Sequence, residues 1–232
     1  DVSAGRAENS PKAFAAAIDR NYGIELDVQL SSDGHAMAFH DYDLGRLTTE
    51  QGPVALRTAK ELGQIPLRHD GDGIPTLAEV LKQVGGRVPL LIEIKDQDGA
   101  MGPNVGALEE ATARALTNYK GAFAVMSFNP HSVAAMAKLL PDAPRGIVTS
   151  AYAAEDWPTV PEATRDTLRG IPDFDRTGST FISHEAADLD RPRVAALKEA
   201  GATILCWTIK SAEQEAKARR IVHNVTFEQY LA

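Results

Sequence analysis

Short apolar runs rich in β-formers alternate with amphipathic stretches along most of this chain. Ile24-Glu25-Leu26-Asp27-Val28-Gln29-Leu30 switches between apolar and polar at every step, the period of a strand. Asn9-Ser10-Pro11 just before it reads as a helix start: a capping side chain, then a proline whose missing N–H costs nothing at the first helical position. Ser32-Asp33-Gly34 is a turn signal, which makes residues 35–39 the return strand of a hairpin. Residues 41–75 are rich in Gly and Pro and predict an excursion from the main scaffold, with one short helix near Thr58–Leu62. Regular alternation then resumes. Helices are expected at 76–84, 105–119, 129–140, 155–168 (its beginning broken by Pro158 and Pro161), 192–200 and 211–220, with strands between them.

Strands separated by helices of this length mean repeated βαβ units and a parallel sheet. Core strands start near residues 24, 88, 122, 146, 180, 203 and 221, leaving the hairpin return strand aside. That is seven, and a closed (β/α)8 TIM barrel needs eight. Because the chain opens with a helix, the expected position of the further strand is upstream of Asp1. The competing reading, a doubly wound open sheet, wants a Gly-rich phosphate turn after its first strand. The sequence has none there. The expected architecture is one TIM-barrel domain over residues 1–232, with an insertion at about 33–75.

Charge narrows the function. The 232 residues carry 24 Lys and Arg against 32 Asp and Glu, a net −8 with the six histidines neutral. Such a surface argues against nucleic acid or an anionic membrane as the main partner, because phosphate backbones want a basic face. No run approaches the length of a membrane span. The single Cys206 allows no intramolecular disulfide and favours a reducing, cytoplasmic setting. Serine-hydrolase elbows, P-loops, Cys-x-x-Cys pairs and His-Glu-x-x-His motifs are all missing from the sequence.

Glu25 and Asp27 stand two apart on one strand, so they project from the same face while Leu26 and Val28 take the other. Two converging carboxylates repel unless a positive charge lies between them, and a hard divalent cation is the natural occupant. Leu90-Leu91-Ile92-Glu93-Ile94-Lys95 repeats the pattern, with Glu93 and Lys95 on one face. A buried ionised Glu there is costly without a partner. The alternatives are solvated charges at Glu25 and Asp27 and a plain ion pair between Glu93 and Lys95. His40-Asp41 ends the hairpin close to these carboxylates, and a histidine near its unperturbed pKa suits general acid work. His184 ends another strand, where a barrel site would lie, whereas His69, His131 and His223 read as structural or solvated. Trp207 ends a strand and offers either a flat wall or core packing.

Taken together the chain resembles the glycerophosphodiester phosphodiesterase family. The matching pieces run in family order: Glu8-Asn9-Ser10 with Ala13-Phe14, Glu25-Leu26-Asp27, Asp33-Gly34, and His40-Asp41 with Leu44 and Arg46. Gly52-Pro53, Pro75-Thr76-Leu77, Glu93-Ile94-Lys95, Ser127-Phe128 and Trp207-Thr208 complete the series. The resemblance implies a TIM barrel and one divalent cation, Mg²⁺ or Ca²⁺, held by Glu25, Asp27 and Glu93. It makes His40 one of two catalytic histidines, Lys95 a phosphate contact and Trp207 part of the substrate wall. The family's His-Arg-Gly has no counterpart here, since the only arginine before Glu8 is Arg6, so its expected place is upstream, with the further strand. Val225-Thr226-Phe227 also departs from the family's Thr-Asp-x-Pro ending.

The expected activity is metal-dependent hydrolysis of a small glycerophosphodiester to sn-glycerol 3-phosphate and an alcohol, by histidine acid/base chemistry. Two other readings stand beside it. One is a non-catalytic metal- and phosphate-binding barrel without the first histidine. The other is a phospholipase acting on lysolipids, which would need an apolar rim. The sequence leaves the oligomeric state open.

Overall fold

The computed structural model describes residues 4–232. The expected additional strand before Asp1 lies outside them. Two compact units make up the chain: residues 1–95 with 106–124, and residues 96–105 with 125–232.

The first unit opens with helix α1 (Pro11–Asp19) and strand β1 (Ile24–Leu30), followed by the antiparallel return strand β2 (Ala36–Ala38). Helices α2 (Ala59–Leu62) and α3 (Leu77–Val84), strand β3 (Leu90–Ile94) and helix α4 (Ala107–Leu116) complete it. Its strands lie in the order β2-β1-β3, with β1 and β3 parallel. Ser10 caps α1: its hydroxyl accepts from the Ala13 N–H. Thr58 and Thr76 each close a reciprocal capping box with Glu61 and Glu79. Gly85 ends α3 at φ +58, a left-handed position that a Cβ would strain.

Leu26, Val28 and Ile92 are fully buried and Ile94 nearly so. Removing each such side chain from water is worth about 1.5–3 kcal/mol. Placing the aliphatics together on one face fixes which way β1 and β3 face, and a one-residue slip would move the whole set to the side that holds the carboxylates. The Gly/Pro-rich excursion has a small core of its own, in which Phe39, Leu44, Val54, Leu62, Leu67 and Ile74 pack on Met37 and Ala7.

The second unit holds five parallel strands in sequential order. They are β4 (Phe123–Ser127), β5 (Arg145–Thr149), β6 (Phe181–Glu185), β7 (Thr203–Ile209) and β8 (Asn224–Phe227). Helices α5 (Pro130–Leu139), α6 (Glu162–Arg169), α7 (Pro192–Glu199) and α8 (Ala212–Ala218) connect them. Two boundaries differ from the sequence expectation. The helix expected from residue 155 starts at Glu162, with Pro161 at its N-cap, because Pro158 and Pro161 lack the N–H and restrict the residues before them. The last strand starts at Asn224 rather than Ile221. The N–H groups of Ile221 and Val222 still bond back to the Ala218 carbonyl at 2.8 and 3.0 Å, so the chain is leaving α8 at that point.

Candidate active site

The parallel register of β1 and β3 does what the sequence pattern could only suggest. It pairs Asp27 directly with Glu93, and Glu25 stands two residues earlier on the same face of β1. One carboxylate oxygen from each of Glu25, Asp27 and Glu93 falls within 4.8 Å of the others. Asp27 and Glu93 are each only 7 % exposed. Lys95 lies beside them, its ammonium 2.8 Å from Asp27 Oδ1 and 2.7 Å from Glu93 Oε1.

The electrostatics sort these carboxylates. Burial pushes the Glu25 carboxyl well above its ordinary range, and repulsion from Asp27 and Glu93 adds to that. Burial also raises Glu93, against the pull of Lys95. Asp27 resists its own burial and stays below the usual range, because Lys95, His40 and the Asn9 amide favour its charged form. Lys95 remains firmly protonated, since Asp27 and Glu93 outweigh its desolvation. Three carboxylates, two buried and that of Glu25 half-buried, thus face one ammonium, and the charge is under-neutralised. An all-oxygen donor set with surplus negative charge suits a hard divalent cation.

His40 follows β2, whose ladder with β1 extends through the Phe39 N–H to the Asp27 carbonyl at 3.0 Å. Gln29 Nε2 donates to the His40 carbonyl. The His40 ring meets Asp41 Oδ1 through Nδ1 at 2.6 Å. That hydrogen bond raises the imidazole pKa above its ordinary value, while burial and Lys95 work against it. Asp41 is held below the usual carboxylate range: burial would raise it, but the hydrogen bonds of His40 and Arg46 prevail.

Two contributors escaped the sequence reading. Asn9, expected to flank a helix cap, instead grips Asp27 from both sides. Its Nδ2 donates to Asp27 Oδ2 at 2.9 Å, and its Oδ1 accepts the Asp27 N–H at 3.1 Å. Arg46 joins Asp41 to Glu8. Both residues stood in matching motif pieces, but only long-range contacts give them roles.

The second unit holds Trp207. Its indole Nε1 donates to the Ser183 carbonyl at 3.1 Å and its ring stands edge-on to Phe128, with centroids 5.6 Å apart. Phe128 also packs on Trp157, and Trp157 on Tyr152. His184 is fully buried. Nδ1 meets Thr149 Oγ1 at 2.7 Å and Nε2 meets Asp188, while burial lowers its pKa. With a partner at each nitrogen, this ring is tied into the packing of β5 and β6. His223 is likewise structural, accepting the Ile204 N–H at 2.9 Å. Asn129 both caps α5 and donates to Asp96.

The sequence profile of the Glycerophosphoryl diester phosphodiesterase family matches residues 2–226. YhdW of Bacillus subtilis is 27 % identical over 219 residues, which span 90 % of this chain and 84 % of the relative. A glycerophosphodiester phosphodiesterase of Caldanaerobacter subterraneus subsp. tengcongensis is 31 % identical over 159 residues, 65 % of this chain and 64 % of that one. Among solved structures, an Oleispira antarctica phosphodiesterase in complex with the product sn-glycerol-3-phosphate superposes with a TM-score of 0.80 at 22 % identity. The match covers 97 % of this chain and 89 % of that one. A Thermotoga maritima glycerophosphodiester phosphodiesterase gives 0.72 at 23 % identity, over 97 % and 90 % of the two chains. Likeness at these identities shows the fold, and it is the α/β, TIM-barrel class expected from the strand–helix alternation. With its family profile matched across residues 2–226, the chain belongs to the glycerophosphoryl diester phosphodiesterase family.

Proposed function

We propose that this chain carries a metal-dependent phosphodiesterase centre that hydrolyses glycerophosphodiesters to sn-glycerol 3-phosphate and an alcohol. The observation that supports it most is the trio of half-buried Glu25 with buried Asp27 and Glu93, converging within 4.8 Å and under-neutralised by Lys95. A divalent cation, Mg²⁺ or Ca²⁺, held by that trio supplies Lewis-acid neutralisation of phosphate charge when bound. The neighbours named above act on the rest of the reaction. Lys95, fixed in place and protonated, contributes a second preorganised positive charge towards a non-bridging phosphate oxygen. His40, its pKa raised by the Asp41 hydrogen bond against burial and Lys95, acts as the acid that protonates the departing alcohol oxygen from Nε2. Positioned proton transfer of this kind is worth roughly 10²–10⁴ in rate. A small diester fits the acidic net charge, since the anionic substrate meets local cations rather than a basic surface. Among the described residues no helix is long and apolar enough to cross a membrane. The cytoplasmic assignment rests on the lone cysteine.

The test uses the full-length gene product and glycerophosphocholine. Activity should vanish in EDTA and return with Mg²⁺ or Ca²⁺, and Glu93→Gln should weaken cation binding and slow turnover by at least about 10²-fold. Turnover indifferent to chelation would refute the metal role. A Glu93→Gln enzyme at wild-type rate would refute the ligand assignment alone.

A further inference from the structure

Arg46 makes four charged hydrogen bonds near His40, and nothing in the reaction described above uses it. Its Nε and Nη2 donate to Asp41 Oδ2 and Oδ1 at 2.6 and 2.7 Å. Its Nη1 and Nη2 donate to Glu8 Oε2 and Oε1 at 3.0 and 2.6 Å. The guanidinium is thus doubly bidentate, gripping two carboxylates 33 residues apart in sequence. Bidentate forks fix orientation as well as distance, which a lysine ammonium cannot do.

The contacts continue at both ends. Asp41 Oδ1 carries on to His40 Nδ1 at 2.6 Å. Glu8 is followed directly by Asn9, whose amide grips Asp27 from both sides. One unbroken series therefore runs from the carboxylate trio through Asn9, Glu8, Arg46 and Asp41 to His40. Stability alone does not account for it. The Arg46 side chain is 51 % exposed and that of Glu8 36 %, and ion pairs in water at such exposure contribute only about 0–1 kcal/mol. Four well-aligned charged bonds at the surface constrain geometry far more than they lower free energy.

We infer that Arg46, braced by Glu8, is a positioning residue for His40: it locks the Asp41 carboxylate so that the imidazole is held through Nδ1 with Nε2 aimed at the leaving oxygen, at a fixed distance from the carboxylate trio. Among the described residues no hydrogen-bond partner takes His40 Nε2. The carboxylate on Nδ1 also fixes which nitrogen carries the transferable proton. With Arg46 gone, Asp41 can turn to solvent and the ring with it. A misplacement of about 1 Å costs on the order of 10²-fold in rate.

The inference rests on His40 as the acid of the proposed reaction, and a double-mutant cycle separates the two. In the full-length gene product with glycerophosphocholine, Arg46→Ala should lower kcat about 10²-fold and leave KM within about threefold. In a His40→Asn background the same change should cost less than about twofold, because the group it positions is already gone. Arg46→Lys, which keeps the charge but loses the fork, should recover only part of the loss. Where Arg46→Ala fails to fold by circular dichroism, Arg46→Gln takes its place in the cycle. An equal loss in both backgrounds overturns the inference, as does a change confined to KM or an Arg46→Ala enzyme at wild-type rate. A His40→Asn enzyme at wild-type rate overturns the acid assignment itself, and the inference with it.

Discussion

Asn9 offers a measurable link between local backbone and the carboxylate site. It is 7 % exposed, sits at φ +54, and makes two hydrogen bonds to Asp27. Replacing it with alanine removes three contributions. The donor to a charged carboxylate is worth about 1.5–3 kcal/mol, and the orphaned, buried Asp27 N–H costs about 1–3 kcal/mol. Alanine in the left-handed region costs about 1 kcal/mol, where asparagine is tolerated. These do not add in full, because residues of one network are coupled, and about 3 kcal/mol is the expected net loss. For a chain of this size that is a fall in Tm of roughly 6–12 °C. Thermal melts in cation-free buffer read it, since a bound ion would shift Tm by mass action. Asn9→Gly, which lacks the bonds but accepts the backbone conformation, should melt above Asn9→Ala by roughly 2–4 °C. The alanine variant should also bind Mg²⁺ or Ca²⁺ more weakly in titration calorimetry, because Asp27 loses a group that favours its charged form. An Asn9→Ala protein melting within about 2 °C of wild type would show that the two bonds contribute nothing net.

Two further outcomes follow from the same physics. If protonated His40 does the work, activity is lost as pH rises through its pKa, which the Asp41 hydrogen bond holds above the ordinary value against burial and Lys95. Asp41→Asn should therefore move the alkaline limb of the kcat profile to lower pH, and an unmoved limb would refute the assignment. Cys206 is fully buried and its thiol is pushed up to about 11 by burial. It should ignore a thiol reagent such as Ellman's in native buffer and react fully in denaturant; labelling of the folded protein at the rate of a free thiol would contradict that environment.

Much of the scaffold was legible because its signals are local. The capping threonines at 58 and 76, the proline at the start of α1 and the alternation of β1 each act within a few residues, and each element stands close to where the pattern predicts it. The departures lie at element ends. Pro158 and Pro161, which signal a broken beginning, delay the helix before Leu168 to Glu162, and the chain is still leaving α8 at Ile221, so β8 begins later than its apolar run suggests. Glu25, Asp27, Glu93 and Lys95 were legible as a set because period two puts each pair on one face.

What alternation along one strand cannot give is the register between two. The sequence by itself determined that β1 and β3 each present acids on one face and bury aliphatics on the other, since that follows from backbone geometry and the cost of wetting apolar surface. Only tertiary structure set Asp27 beside Glu93, folded Asn9 back onto Asp27 and drew Glu8 and Asp41 onto the guanidinium of Arg46. Apart from the Asp41–Arg46 pair, five residues apart, those contacts join residues far apart in the chain, so chain closure and packing decide them, and no local propensity encodes them.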